Sequence, residues 1–449
     1  MACSMAHTLS RISSTWLIRN FPRDCATKAV AASSNMVEEL LQYVFREGGK
    51  SSQALDIIKS GLGAQPSAEA GLGTARLHLA MAEVERDQSS WAAAADSAAA
   101  ASKAARATEP ASPEAVVAAS QLELAAYASG VLSYLAEGRD FEALDLSQHA
   151  LDIAHDSFHQ HGAEQQRWQA LVGSNSLQCL VQHAMGDLNG ASTSADVAQA
   201  LADHTDQRRA GQGQQRDAEI PSALQRIGAL RLAMGDYDEA TSLFRRAAAG
   251  AARALPAGGS SSPGAPLEPS PWALREAAAS AVSGPGQASL AQKQWDSAEE
   301  PLSEGVTEAD NITREKHPRA VPILVQLGHV FARTSRVTLA EGIYRQAARI
   351  LNLDPSKAFT PVYLAHPSVS AMLAWRYAQL LAALPKRDTE TDAWHQLAHE
   401  IHSISAEGLQ PAIVLEQAYG DLHSLKGQGS PGRGGICDVS SRRVLQYAP

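Results

Sequence analysis

The stretch that decides the fold is residues 222–252, SALQRIGALRLAMGDYDEATSLFRRAAAGAA. Leu224, Ile227, Gly228 and Arg231 recur at steps of three and four and therefore share one helix face; Leu243, Phe244 and Ala247 do the same on a second helix. Gly235-Asp236 stands between them, a helix-ending glycine followed by a capping residue. Gly228 and Ala240 are small, so the two backbones can approach closely. Two such faces can only bury each other, and the outer faces of the pair then require neighbours. The pattern predicts further copies along the chain.

The clearest copy is Leu324, Leu327-Gly328, Phe331, Ala340, Tyr344 and Ala347, followed by Pro355. His366-Pro367 opens another helix 49 residues after His317-Pro318. Upstream, Gly138, Gly186 and Gly235 each precede an alanine (Ala143, Ala191, Ala240) by the same interval, and fainter candidates lie at Gly49 with Ala54, Trp91 with Ala94 and Trp295 with Ala298. Seven or eight units are expected.

This order of a large apolar residue, Leu-Gly, an aromatic, a small residue, an aromatic and a final small residue resembles the tetratricopeptide repeat. The run from His317-Pro318 to Leu324, with Leu339-Ala340-Glu341, Tyr344 and Ile350, is similar to its longer-helix kinesin light chain variety. The resemblance implies an all-α, right-handed superhelical solenoid of stacked antiparallel helix pairs that holds other proteins without catalysis. It also implies that the first helix of each unit lines a concave, partner-binding groove. In the two best units that surface is Gln225, Arg226, Ala229 and Leu232, then Val325, Gln326, His329 and Arg333. Chaperone-binding members use Lys and Asn there; Gln225 with Ala229, and Val325 with His329, do not supply such a clamp.

Around this array the chain divides into residues 1–34, repeats over 35–255, an insertion at 256–271, repeats over 272–418 and a tail over 426–449. Residues 1–34 carry Arg11, Arg19, Arg23 and Lys28 against the single acid Asp24 and are rich in Ser and Thr, the composition of an organelle transit peptide. Val30-Ala31-Ala32 looks like a plastid processing site, which favours the chloroplast stroma, with the mitochondrion and the cytoplasm as alternatives. The insertion PAGGSSSPGAPLEPSP has five prolines and cannot hold a helix. The tail, KGQGSPGRGGICDVSSRRVLQYAP from Lys426, has no periodicity and is expected to be disordered.

Composition narrows the function. Aromatics are only 5% while alanine abounds and Val and Ile are scarce, which favours helices over strands. The formal charge of −10 becomes −13 without residues 1–34, whose four bases and one acid are removed. A chain this acidic neutralises phosphates poorly, so protein partners are expected over nucleic acid. The reading is a scaffold, an assembly or stability factor for an organellar protein complex; the alternatives are an organellar RNA-binding repeat protein and a cytosolic cargo adaptor like a kinesin light chain.

No cofactor or metal is expected, and no catalytic residues. Cys179 and Cys437 form no C-x-x-C, with Cys179 a core residue, and no apolar run approaches the length of a membrane span. Gly48-Gly49-Lys50-Ser51 ends like a phosphate-binding loop, but the required earlier glycine is Val44. His395, His399 and His402 share a helix face and could ligate a metal, yet HQLAHEIH is not H-E-x-x-H and has no Cys or Asp beside it, so a packing face is preferred. His149, His155, His159 and His161 match no closed ligand set and read as solvated or helix-terminal.

Overall fold

The computed structural model describes residues 36–45, 51–64, 71–108, 112–161, 164–209, 219–255, 271–312, 316–357, 364–406, 415–427, 432 and 434–447. Residues 1–34 and nearly all of the 256–271 insertion lie outside them. Within the described residues the chain forms eight consecutive helix pairs. They are α1 (36–45) with α2 (Ser51–Ala64), α3 (Gly71–Asp87) with α4 (Trp91–Arg106), α5 (Pro113–Glu137) with α6 (Asp140–His161), and α7 (Glu164–Ala184) with α8 (Leu188–Arg209). The array continues with α9 (Glu219–Met234) and α10 (Tyr237–Ala254), α11 (Pro271–Ala291) and α12 (Trp295–Asp310), α13 (Val321–Arg333) and α14 (Val337–Ile350), and α15 (Pro367–Ala382) and α16 (Asp388–Ala406). A short helix α17 (Leu415–Tyr419) and an antiparallel hairpin, β1 (Ile436–Asp438) with β2 (Arg443–Leu445), complete it.

Among the described residues, the repeating element is one turn built six times between the two helices of a pair. Ser89, Gly138, Gly186, Gly235, Lys293 and Ser335 all have positive φ, between 60° and 90°. At each, that residue's amide bonds the carbonyl three residues back and the next amide bonds the carbonyl five back, as in Arg139 N to Tyr134 O (2.9 Å) and Arg336 N to Phe331 O (2.8 Å). This left-handed cap satisfies carbonyls that the ending helix leaves orphaned and reverses the chain. Five residues beyond each turn stands an alanine, Ala94, Ala143, Ala191, Ala240, Ala298 and Ala340, and all six are fully buried. The faint units at Trp91 and Trp295 therefore have the same construction as the clear ones, with Ser89 and Lys293 where three of the others have glycine and the fourth has Ser335.

Close approach within a pair needs a residue without a side chain. A Cβ on Gly228 would stand 3.1 Å from the Phe244 ring, and one on Gly328 would stand 2.6 Å from that of Tyr344. The packing differs along the stack. Around α8 it is largely alanine (Ala191, Ala195, Ala198, Ala202), whereas around α15 it is Leu373, Trp375, Tyr377 and Leu380 against Phe331 and Tyr344. Helix α5 is long and apolar enough to cross a bilayer, against the sequence expectation, but 56% of its most apolar window is buried inside the protein. It packs between α4 and α6 as a core helix.

The stack winds so that its beginning meets its later units. Phe45 packs edge-on against Trp272 at 5.3 Å, Arg86 pairs with Glu276 at 2.9 Å, and Ser89 Oγ donates to Leu364 O at 3.0 Å. His317 and His366 both cap the chain that follows them, accepting from the amides of Arg319 (3.2 Å) and Ser368 (3.1 Å). His317 Nε2 also reaches Asp87 O, 2.9 Å away at the end of α3.

The largest departure from the sequence reading is the tail. Residues 436–445 are a hairpin, not a disordered segment, and Ile436, Cys437, Asp438, Val439, Ser441, Arg442, Arg443 and Leu445 are each at most 2% exposed. A Gly-rich stretch without periodicity carries no local signal for a strand; the hairpin is stabilised by what surrounds it.

Candidate functional site

The inner face of the solenoid is built from the first helices of successive pairs, and the hairpin lies on it. Three glutamines hold β1. Gln287 on α11 grips the Cys437 peptide at both ends, its Oε1 accepting from Cys437 N (2.8 Å) and its Nε2 donating to Cys437 O (3.2 Å). Gln326 on α13 donates to Gly435 O at 2.7 Å, and Gln225 on α9 donates to Asp438 Oδ1 at 3.3 Å. Ser280 Oγ accepts from Val439 N (3.1 Å). On β2, Val444 N donates to Ser368 Oγ at 3.1 Å, and that hydroxyl lies 2.7 Å from His366 Nδ1. His183 Nε2 lies 2.9 Å from Gln446 O and must be the donor, since a carbonyl only accepts. Most of these bonds address the peptide backbone, as in recognition of an extended strand.

The hairpin turn supplies charge where the helices need it. The last turns of helices α3, α5 and α7 carry the negative end of the helix dipole, and Arg86, Leu135 and Ala184 there are buried against the hairpin. Arg442 donates to Arg86 O (2.8 Å), Ser89 Oγ (2.6 Å) and Leu364 O (3.2 Å), and stacks over Trp91 at 4.8 Å. Arg443 donates to Leu135 O and Ala184 O (3.2 Å) and pairs through both terminal nitrogens with the Asp140 carboxylate, one of them at 2.8 Å. Burial pushes the Arg442 guanidinium down to about 9, with the nearby Arg319 charge adding to it. Arg319 itself pairs with Asp87, so Arg86, Arg319 and Arg442 share Asp87 and Glu276 in one buried network. Asp438 tightens the turn by accepting from Ser441 N (2.8 Å) and Ser440 Oγ (2.8 Å).

The eight residues assigned to the groove are distributed as follows. Gln225 and Gln326 bond the hairpin directly. Ala229 and Leu232 pack in one cluster with Ile436 and Leu445, and Val325 packs in another with Cys437, Val439 and Val444. Arg226 turns sideways into the seam with α7, donating to Ser176 Oγ at 3.2 Å. Arg333 donates to Ser424 O (3.1 Å) and lies over Trp295, and His329 meets the same Trp295 edge-on at 5.7 Å. Seven of the eight are below 10% exposed, because the surface they form is covered by the chain's own C-terminal segment. Sequence reasoning missed Gln287, Ser280, Ser368, Asp140 and the hairpin; the buried Asp140 one residue beyond a positive-φ glycine and its neighbour is the nearest thing to a local signal.

Beside the hairpin is a cavity of about 40 Å³ lined in part by Trp295, Gln326, His329, Arg376 and Tyr447. Gln326 Oε1 and His329 Nδ1 there have no hydrogen-bond partner among the described residues. The space suits a few waters that would satisfy them and is too small for a metabolite. Both described cysteines are buried, and burial raises the Cys179 thiol to about 12, so neither is poised as a nucleophile. One further cluster stands apart: the side-chain ligand atoms of His395 and His399 on α16 and Glu416 on α17 all lie within 4.8 Å of one another.

No family model and no curated protein matches the sequence. Among solved structures, the chain is similar to a Rap protein complexed with competence and sporulation factor, at 12% identity over 85% of this chain and 92% of that one, with a TM-score of 0.47. It is also similar to BtubC from P. vanneervenii (16%, 58% and 90%, TM-score 0.41) and to a signal transduction ATPase with a tetratricopeptide repeat sensor from Pyrococcus horikoshii (13%, 83% and 47%, TM-score 0.43). At these scores the fold rests on the helix pairing itself. By that pairing and its repeated turn, the chain is an all-α helical-repeat protein of stacked antiparallel helix pairs.

Proposed function

We propose that this protein is a non-catalytic interaction scaffold of an organelle, an assembly or stability factor that holds extended segments of its partners on the inner face of the solenoid. The observation that carries the reading is the backbone-directed grip of Gln287, Gln326, Ser280 and Ser368 on residues 435–444. A surface that holds one strand by its peptide groups is built to hold strands, with specificity supplied by Asp140 and the carbonyls that receive the two arginines. In this reading the resident hairpin is the groove's own ligand, and a partner segment takes its place or docks beside it. The acidic charge of the chain favours protein partners over RNA.

The test is to tag the full-length chain at an exposed position away from the C-terminus, locate it in cells and purify it from its compartment with and without ribonuclease. Recovery of one set of organellar proteins insensitive to ribonuclease supports the proposal. Recovery that vanishes with ribonuclease makes RNA the ligand, and a cytosolic signal removes the organellar assignment.

A further inference from the structure

We infer that His395, His399 and Glu416 form a binding site for a single late first-row divalent cation of the zinc class. The sequence places His395 and His399 one helical turn apart on α16, and the fold brings a carboxylate to them from a different element. The two Nε2 atoms are 3.3 Å apart. An ion held at about 2.0–2.1 Å in tetrahedral geometry sets its ligands roughly 3.3–3.4 Å from each other, so this spacing needs no rearrangement of the helix. Two imidazoles and a carboxylate suit zinc, cobalt, nickel or copper and do not suit magnesium or calcium. Three protein ligands leave the fourth position to water.

The site is held from behind. Trp375 on α15 packs against both rings, at 4.9 Å from His395 and 5.5 Å from His399, and its indole N–H donates to Gly420 O at 3.0 Å. Arg376 and Gln379 donate to Tyr419 O at 2.7 and 3.0 Å. Gly420 N in turn bonds Glu416 O at 2.8 Å, so one buried clamp fixes the helix that carries the third ligand. Ligands on packed helices with a braced surround are the arrangement that metal affinity requires. Of the other candidates among the described residues, Asp392 and His402 lie on the same helix outside the three-ligand cluster, and both cysteines are buried elsewhere. This inference does not depend on what the groove holds.

The probe is cobalt(II), titrated into the metal-stripped full-length chain carrying no polyhistidine tag. The expected result is one equivalent bound, with the intense visible absorption of a tetrahedral ion, and bleaching of that band by zinc(II). His399→Ala, an exposed position that leaves the far-ultraviolet circular dichroism intact, should weaken binding by more than about 100-fold, beyond what loss of a merely supporting group costs. Glu416→Gln should also weaken it, whereas His402→Ala should not. Zinc should raise Tm in the wild type and leave His399→Ala unmoved. Absence of saturable binding, or binding that survives both His399→Ala and Glu416→Gln, overturns the proposal; the two histidines are then a packing pair that shares a proton.

Discussion

The seam between helices of a pair and the seam between the solenoid and its tail are made of different materials. Within a pair, an alanine or glycine meets a ring or a leucine, as Gly328 meets Tyr344, and the contact is between residues close in sequence. Between groove and tail, guanidinium groups and amides meet carbonyls and carboxylates, and Arg443 meets Asp140 across 303 residues. The first seam is non-directional and tolerates substitution at many points. The second is directional and buried, so each partner leaves a costly orphan if the other is lost.

The largest expected effect therefore lies in the tail. Arg443→Ala strands the Asp140 carboxylate without its cation and takes one donor from each of two helix carbonyls, and should cost about 3–5 kcal/mol in urea unfolding. Adding Asp140→Ala should restore part of that loss. If the single substitution is silent, the tail seam contributes nothing and the contrast fails.

The helix seam is sharpened by two glycines. Gly→Ala inside a helix gains up to about 1 kcal/mol in propensity, which opposes any clash. At Gly328 the new methyl stands 2.6 Å from Tyr344, so the clash should win with a loss of up to about 3 kcal/mol; at Gly228, with 3.1 Å to Phe244, the two effects should nearly cancel. Gly228→Trp, which no local shift accommodates, should abolish cooperative melting of the helical signal. Equal effects of alanine at Gly228 and Gly328 would show that the pairs pack less tightly than described.

Acid should open the tail seam before the helix seam. Burial lowers the His183 imidazole from 6.5 to about 4, and the ring bonds the tail at Gln446 O. Because the unfolded chain takes up this proton first, the stability is present above about pH 6.5 and is lost progressively as pH falls toward 4. His183 alone should remove about 2 kcal/mol at pH 5, and burial of His366 beneath β2 acts in the same direction. The measurement is the urea midpoint at pH 7 and pH 5 for the wild type and His183→Gln; an unchanged difference between the two proteins would remove His183 from the account.

The smallest effect lies next to the largest. Arg139, chain neighbour of Asp140, pairs with Glu142 at 2.9 Å on the surface, with both side chains more than 40% exposed. Glu142→Ala should change stability by under about 0.5 kcal/mol. A cost comparable to that of Arg443→Ala would mean that burial is not what separates the two pairs.

The same contrast explains what could be read in advance. Helix pairs repeat, and Gly138, Gly186 and Gly235 mark their turns because glycine enters the left-handed region freely. Ser89, Lys293 and Ser335 make the same turn without that marker; the Ser335 unit is still legible from Leu327-Gly328, Phe331 and Tyr344, whereas the Trp91 and Trp295 units lack both the glycine and most of that pattern. The inner-face residues Gln225 and Gln326 followed from the resemblance, which puts the first helix of each unit on the inner face, whereas their occupant did not, since nothing in ICDVSSRRVL marks it locally as a strand without the carbonyls of α3, α5 and α7. Glu416 escaped for a related reason: the His395–His399 spacing is local, and the third ligand arrives from another helix.

The central claim is that the tail is a structural part of the groove, and amide hydrogen exchange of the intact chain tests it most directly. The amides of Cys437, Val439 and Val444, bonded to Gln287, Ser280 and Ser368, should exchange as slowly as those of the core helix α15. Exchange of residues 436–445 at the rate of an unstructured peptide, with α15 still protected, would contradict it.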